Sequence, residues 1–187
     1  MSTQELNDKI QAAYREFSAS VELPGDIEPP ANEIDISLAE ANIGMAVPVE
    51  FRIALELFNG TNALVQLPLG VELEPAHFAG ISPVQEWAVV SGQAREELSF
   101  WIDDFKRGLA TVVGPVKPVP FHDEWIMISY GYGFYWFLDF CPELGGTLGQ
   151  IVVVYPMPDE HRVQVVAPNF LVFLRLMTDA LKKNKQG

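Results

Sequence analysis

Three apolar stretches in the last third of the chain decide the fold: Trp125-Ile-Met-Ile-Ser129, Phe134-Tyr-Trp-Phe-Leu-Asp139 and Gln150-Ile-Val-Val-Val-Tyr155. Each has the length and the aromatic or β-branched content of a strand, and turn residues separate them. They predict strands over 125–130, 133–140 and 150–155, with a shorter strand over 162–166. The second stretch is apolar on both faces of its pleat, so we expect a central strand covered on each side, or one pressed beneath a long helix.

An amphipathic helix is predicted to close the chain. Asn169 suits its N-cap, and apolar residues recur after it at helical spacing: Phe170, Phe173, Leu174, Met177 and Leu181. Lysines lie at its carbonyl end, where cations interact favourably with the helix dipole: Lys182, Lys183 and Lys185.

The preceding two-thirds of the chain have helical spacing interrupted by proline and glycine. Helices are predicted over 3–20, from Asn32 to Gly44, from Pro48 to Asn59-Gly60, and over 82–107 with Ser82 as N-cap. Residues 23–30 are too rich in proline for a helix and are predicted to form a linker or an extended arm. Residues 63–73 alternate loosely, as short edge strands or a loop would. The order predicts an α+β fold: N-terminal helices, a mainly antiparallel sheet and a C-terminal helix.

The bulk properties favour one folded domain spanning residues 1–187, in which 1–30 form an N-terminal helix and Pro-rich arm. No apolar run reaches the length of a membrane helix, and the polar N-terminus does not resemble a signal peptide. The single cysteine, Cys141, suits a reducing compartment. We therefore expect a cytoplasmic protein with no membrane partner.

The net charge of −13 is concentrated in the first 120 residues, which hold 18 acids and seven bases. Between residues 21 and 60 there are eight acids, and Arg52 is the single base. Such a field repels phosphate backbones, so direct nucleic-acid binding is not expected, and it attracts basic proteins. The alternative is that the acids only keep the protein soluble.

Residues with catalytic or metal-binding chemistry do not form a recognisable motif. The histidines are His77, His122 and His161, and no two have the close spacing of a metal site. Cys141 could be a nucleophile with His122 or His161 as base, but that requires a proximity that sequence does not show. The glycines at 131–133 and 145–146 are flanked by strands, so they predict hairpin turns and not a phosphate cradle. No catalytic residue, metal or cofactor is expected.

Together, the helix ending in Asn59-Gly60, the three strands and the Ala167-Pro-Asn-Phe-Leu-Val-Phe-Leu174 segment resemble the SMI1/KNR4 family of the SUKH superfamily. The resemblance spans about Glu33 to Leu181, giving an SMI1/KNR4-like domain over 31–183. It implies an α+β domain that binds other proteins. Bacterial members commonly neutralise cognate toxins, often nucleases, as immunity proteins, whereas fungal members act in cell-wall and signalling regulation. The chain departs from the family pattern in its N-terminal helix and arm and in the helix predicted over 82–107.

The sequence therefore predicts a non-enzymatic immunity protein that binds a basic toxin domain, with a basic nuclease as one such partner. The alternative is a regulatory or scaffold protein of the same family without a toxin partner. An enzyme built around Cys141 is a third reading. The oligomeric state is left open. Predicted partner-binding residues are Asp26, Glu28, Glu33, Asp35, Asp103, Asp104, Tyr130 and Tyr132.

Overall fold

The computed structural model describes residues 2–22, 26–67, 76–78, 80–157 and 160–184. The helices are α1 (Thr3–Ser20), α2 (Glu33–Ile43), α3 (Val49–Leu55), α4 (Trp87–Leu98), α5 (Ile102–Lys106) and α6 (Phe170–Asn184). The strands are β1 (Val65–Leu67), β2 (Ala76–Phe78), β3 (Ala110–Val113), β4 (Trp125–Gly131), β5 (Phe134–Asp139), β6 (Gln150–Met157) and β7 (Glu160–Ala167). Short 3-10 turns precede α4 and α5, at Val84–Glu86 and Ser99–Trp101.

A five-stranded sheet in the order β3-β7-β6-β5-β4 lies at the centre of the fold. All its pairs are antiparallel except β3 with β7, which are parallel. The α+β prediction is confirmed. Strand β3 was not predicted, because its four residues are mostly exposed and carry no alternation that marks a buried face. A separate two-stranded sheet pairs β1 with β2, and the predicted strand around 71–73 lies outside the described residues.

Both faces of the central sheet are buried, as β5 predicts. On one face, Phe134, Trp136 and Leu138 join a core that includes residues of α1, α3 and α6. On the other face, Tyr135 and Phe137 join a second core with α4 and α5. Strand β5 lies beside the middle strand β6, and every residue of β5 is buried.

The closing helix α6 follows its predicted pattern. The Asn169 side chain caps it by accepting the Val172 amide at 3.0 Å. Its predicted inward residues are all buried, and Phe173 packs edge-on against Phe78 at 5.2 Å between ring centroids. Burying one such aromatic side chain contributes roughly 1.5–3 kcal/mol, so α6 is a principal anchor of the first core.

Helix α4 passes around the edge strand β4 from one face of the sheet to the other. Trp87, at its start, stacks on Phe51 in the first core, whereas Leu98, at its end, lies in the second core. Between them, the Ser91 hydroxyl accepts the outward Met127 amide of β4 at 3.0 Å. The helix therefore covers an edge that would otherwise expose unpaired backbone groups.

The helix predicted from Pro48 to Asn59-Gly60 ends earlier, at Leu55. The arm takes over the hydrogen bond that would continue it. Ala31 donates its amide to the Leu55 carbonyl at 2.8 Å, and Asn59 donates its amide to the Pro29 carbonyl at 3.1 Å. The helical hydrogen bond from the Asn59 amide to the Leu55 carbonyl does not form, because each of these groups bonds to another segment instead. The helix therefore stops there.

The prediction of one helix over 82–107, capped by Ser82, was wrong in two respects. The amide of Val84 is capped by the Asn59 side chain at 2.9 Å, and regular α-helix begins only at Trp87. A 3-10 turn then interrupts the helix after Leu98, where the Ser99 hydroxyl donates to the Glu96 carbonyl at 2.6 Å. Local bonds of this kind compete with helical backbone bonds.

The predicted hairpin turn at 131–133 is confirmed between β4 and β5. Tyr132 has φ 54° and Gly133 φ 84°, the pair of positive values that a tight type I′ hairpin requires. The glycines at 145–146 lie in the longer connection from β5 to β6, which also joins antiparallel neighbours.

Candidate protein-binding surface

Helix α2 exposes apolar side chains to solvent. Asn32 caps its start by accepting the Asp35 amide at 2.9 Å, and Gly44, with φ 72°, ends it as predicted. The buried residues are Ile36 and Ala39, whereas Ile34 is 71% exposed and Leu38 57% exposed. The apolar spacing that predicts this helix therefore includes residues on its solvent side.

A groove runs between α2 and α4. It consists of two adjoining clefts of about 180 and 290 Å³, which share Asn42 and Ala88. We call it the α2–α4 groove, and its lining includes Asp35, Leu38, Asn42, Met45, Gln85, Ala88, Gly92, Arg95 and Asp123.

The middle of the groove is shaped by the absence of a side chain at Gly92. A Cβ at this position would lie more than 4 Å from any described atom other than those of its chain neighbours and its own helix backbone. Val89, one turn before, is 62% exposed on the same helix. The groove is thus open to a partner's side chains, and apolar residues on α2 and α4 project beside it.

The two ends of the groove differ in charge. At one end, Asp35 lines the groove close to Glu33, which forms an ion pair with Arg52. At the other end, Arg95 and Asp123 form an exposed pair with 2.8 Å between charged atoms. The second end is therefore internally compensated, and the first end holds the excess of acids.

The arm packs against the segment that follows α3. The Glu28 amide donates to the Gly60 carbonyl at 3.0 Å, and the Asn62 amide donates to the Asp26 carbonyl at 2.7 Å. Asn59 in that segment donates to Gln85 in the groove at 2.8 Å. Asp26 and Glu28 are half-buried, and of the four predicted acids in this N-terminal region only Asp35 lines the groove among the described residues.

The other predicted acids lie elsewhere. Asp103 and Asp104 are on α5, whose Phe105 packs on the opposite face of the sheet. Asp104 contacts the buried His161, with 3.3 Å between Oδ2 and Nε2, and also pairs with Arg107. The sheet therefore separates these two carboxylates from Asp35 in the groove.

The predicted tyrosines lie at the turn between β4 and β5. Tyr130 is half-exposed and packs its ring on Tyr135 at 4.8 Å, and Tyr132 is 67% exposed. The Tyr135 hydroxyl donates to Glu97 at 2.6 Å. Burial is the larger cause that raises the pKa of Tyr135, and the Glu97 carboxylate raises it further. The structure therefore brings Tyr130 and Tyr132 together at one turn.

A family model for the SMI1 / KNR4 family (SUKH-1) matches residues 30–176 of this chain. The chain belongs to this family. The SMI1/KNR4 match contains α2, α4 and the whole central sheet, so the α2–α4 groove is formed within it, and α1 lies outside it. In the comparison with curated proteins, no sequence matches this chain. None of the described helices combines the length and the hydropathy of a membrane span.

Within this SMI1/KNR4 domain, the structure brings Cys141 and His122 together, with 3.0 Å between Sγ and Nδ1. Burial, as the larger cause, and the negative charge of Asp139 raise the pKa of the Cys141 thiol to about 11. A catalytic cysteine needs its thiolate, so the surroundings of this thiol favour the opposite form. Of the two bases considered for Cys141, His161 is engaged with Asp104 on α5.

The sequence did not reveal that three apolar residues in and beside the groove are exposed: Ile34, Leu38 and Val89. A helical repeat shows that apolar residues share a stripe, but not which stripe faces the core. In α2 the signal is that apolar residues occupy more than one side, since Ile36 and Ala39 fall outside the stripe of Ile34 and Leu38.

Proposed function

We propose that this protein is a cytoplasmic immunity protein of the SMI1/KNR4 type, which binds a basic toxin domain in the α2–α4 groove and blocks its active surface. The observation that carries the proposal is the exposure of Ile34 and Leu38 beside a cleft that Asp35 lines. Family membership supports a role in protein binding. The proposal requires no chemistry by this chain.

The apolar residues supply the anchors of the proposed interface. Ile34 and Leu38 are four residues apart and so project from the same side of α2, with Val89 on the neighbouring helix. A large exposed apolar side chain beside a cleft is typical of a binding surface, because covering it removes apolar area from water. These residues form the centre of the proposed interface.

The acids supply attraction and orientation. Glu33 and Glu40 share Arg52, with 2.8 Å between Glu40 and the guanidinium, so part of the charge is balanced within the chain. Asp35 adds charge in the groove itself, and Asp26 and Glu28 add to the negative charge of the N-terminal region. A basic partner is steered toward this region, so association is expected to slow as ionic strength rises.

The experiment measures neutralisation and binding of the toxin encoded beside this gene. Leu38→Asp is expected to weaken binding by at least about 2 kcal/mol, roughly 30-fold, and to abolish protection of cells that express the toxin. Leu144→Asp is the matched control, because Leu144 is fully exposed on the β5–β6 connection. The control is expected to bind and protect like the wild type.

Two other results would distinguish an error in the proposed binding surface from an error in the proposed function. Full protection by Leu38→Asp, with unchanged affinity, would show that the partner binds elsewhere. If the wild-type protein neither binds nor neutralises a toxin encoded beside it, the immunity function is wrong. A regulatory or scaffold role of the family would then be the better account.

A further inference from the structure

Side chains of three chemical types meet where β4 begins and β5 ends. Pairing of Trp125 with Asp139 brings these strand ends together, so that His122 and Glu124 face Cys141. Their ligand atoms all lie within 4.8 Å of one another. We propose that His122, Glu124 and Cys141 bind a divalent transition-metal ion of the zinc class.

The donor set and its spacing suit this ion. Zinc binds imidazole nitrogen, thiolate sulfur and carboxylate oxygen at about 2.0–2.3 Å, so the ligands of a tetrahedral site lie roughly 3.3–3.7 Å apart. His122 Nδ1 is 3.0 Å from Cys141 Sγ and 3.9 Å from Glu124 Oε2. The Glu124 side chain is exposed, so it can rotate to bring its carboxylate to the ion, and water would complete the coordination.

The nitrogen that faces the site is already an acceptor. Both the Glu124 amide, at 3.1 Å, and the Cys141 thiol converge on His122 Nδ1. On binding, the metal takes the Nδ1 lone pair and the thiol proton leaves to solvent, so that a zinc–sulfur bond replaces the sulfur–hydrogen bond. The Glu124 amide, which is exposed, then turns to water.

The neighbouring residues affect metal binding in opposite directions: Asp139 favours it and Lys117 disfavours it. The Cys141 amide donates to buried Asp139 at 2.8 Å, which fixes the backbone that carries the thiol. Lys117 Nζ lies 3.2 Å from His122 Nε2, and Lys117 also interacts with the Cys141 thiol. Its positive charge opposes a second cation, so its removal is expected to strengthen metal binding about tenfold.

The test titrates the metal-free, full-length protein with Zn²⁺ by calorimetry and with Co²⁺ by absorbance. We expect one ion per chain and a thiolate-to-cobalt charge-transfer band in the near ultraviolet. Cys141→Ser is expected to abolish the band and to weaken Zn²⁺ binding at least about 100-fold, and Glu124→Gln about tenfold. Glu143→Gln is the matched control, since it removes an exposed neighbouring charge outside the cluster and is expected to leave the Zn²⁺ affinity unchanged.

The proposal fails if no saturable ion binds, or if Co²⁺ binds without a thiolate band. It also fails if Cys141→Ser and Glu124→Gln keep the wild-type affinity, which would mark nonspecific binding to an acidic surface. Loss of binding in Lys117→Gln would contradict the proposed geometry. Circular dichroism verifies folding, and the exposed Glu124 variant keeps the test decisive where the cysteine variant does not fold.

Discussion

Asp139 is fully buried and joins three parts of the chain. Its carboxylate accepts the Trp125 indole at 2.9 Å, the Cys141 amide at 2.8 Å and the Gln150 side chain at 2.8 Å. Gln150 also donates to the Pro115 carbonyl at 2.9 Å, so one network holds β4, β5, β6 and the segment before β4. The sequence places Asp139 at a strand end, but it does not show these distant partners.

Replacing Asp139 by Ala is expected to reduce the free energy of unfolding by on the order of 3–5 kcal/mol, because buried donors lose their acceptor. Chemical denaturation measures the loss. Asp123→Ala removes an exposed carboxylate and is expected to cost less than about 1 kcal/mol. Similar losses in the two variants would contradict the role given to the network.

Glu50 is a partly buried carboxylic acid at the start of α3. Its Oε2 is buried and has no hydrogen-bond partner among the described residues. Burial raises the pKa of Glu50, although the Leu171 amide partly offsets this effect. The folded state therefore holds the proton more tightly than the unfolded state does, and the charged form destabilises the fold.

Glu50→Gln is expected to raise the melting temperature at pH values where the carboxyl of the folded protein is charged, because burial disfavours that form. The gain should shrink as pH falls through the folded-state pKa and vanish below the ordinary glutamate pKa of about 4.3, where both states are protonated. Thermal melts across this range measure it. Glu56→Gln, at an exposed position, is the control with little effect, and a gain in Glu50→Gln that does not depend on pH would refute the explanation.

At the scale of elements, strands β4 to β7 and the two capped helices α2 and α6 were predictable because their signals are local. The ends of α3 and α4 were not, because distant groups decide them. The arm residues Pro29 and Ala31 terminate α3, and Asn59 caps the 3-10 turn before α4 from 25 residues away. A local reading assigned that cap to Ser82, which has the right residue type in the right place.

Asn59→Ala tests this distant cap. Loss of the Val84 and Gln85 hydrogen bonds is expected to cost about 1–2 kcal/mol of unfolding free energy and to speed hydrogen exchange of the Val84 amide. Asn62→Ala, with an exposed side chain in the same segment, is expected to stay within about 0.5 kcal/mol. Unchanged exchange at Val84 in Asn59→Ala would disprove the cap.

Considered as a whole molecule, the protein has two layers of helices on one sheet, and this arrangement divides the predicted site residues. Asp35 lines the α2–α4 groove and Glu33 pairs with Arg52 of α3, whereas Asp103 and Asp104 lie on α5, whose Phe105 packs in the second core. The sequence shows the acidic N-terminal region as a charge pattern. It could not predict the groove or the His122–Cys141 contact, because both depend on packing between segments that are distant in sequence.

We propose that a protein partner occupies the α2–α4 groove, and filling the groove at Gly92 tests this proposal. Gly92→Ala adds only a methyl group into open space on a helix and is expected to stabilise the protein by up to about 1 kcal/mol, with toxin affinity unchanged. Gly92→Trp fills the groove. By calorimetry, Gly92→Trp is expected to bind the cognate toxin at least about 100-fold more weakly than Gly92→Ala does. Equal affinity of these two folded variants would show that the partner does not occupy the groove.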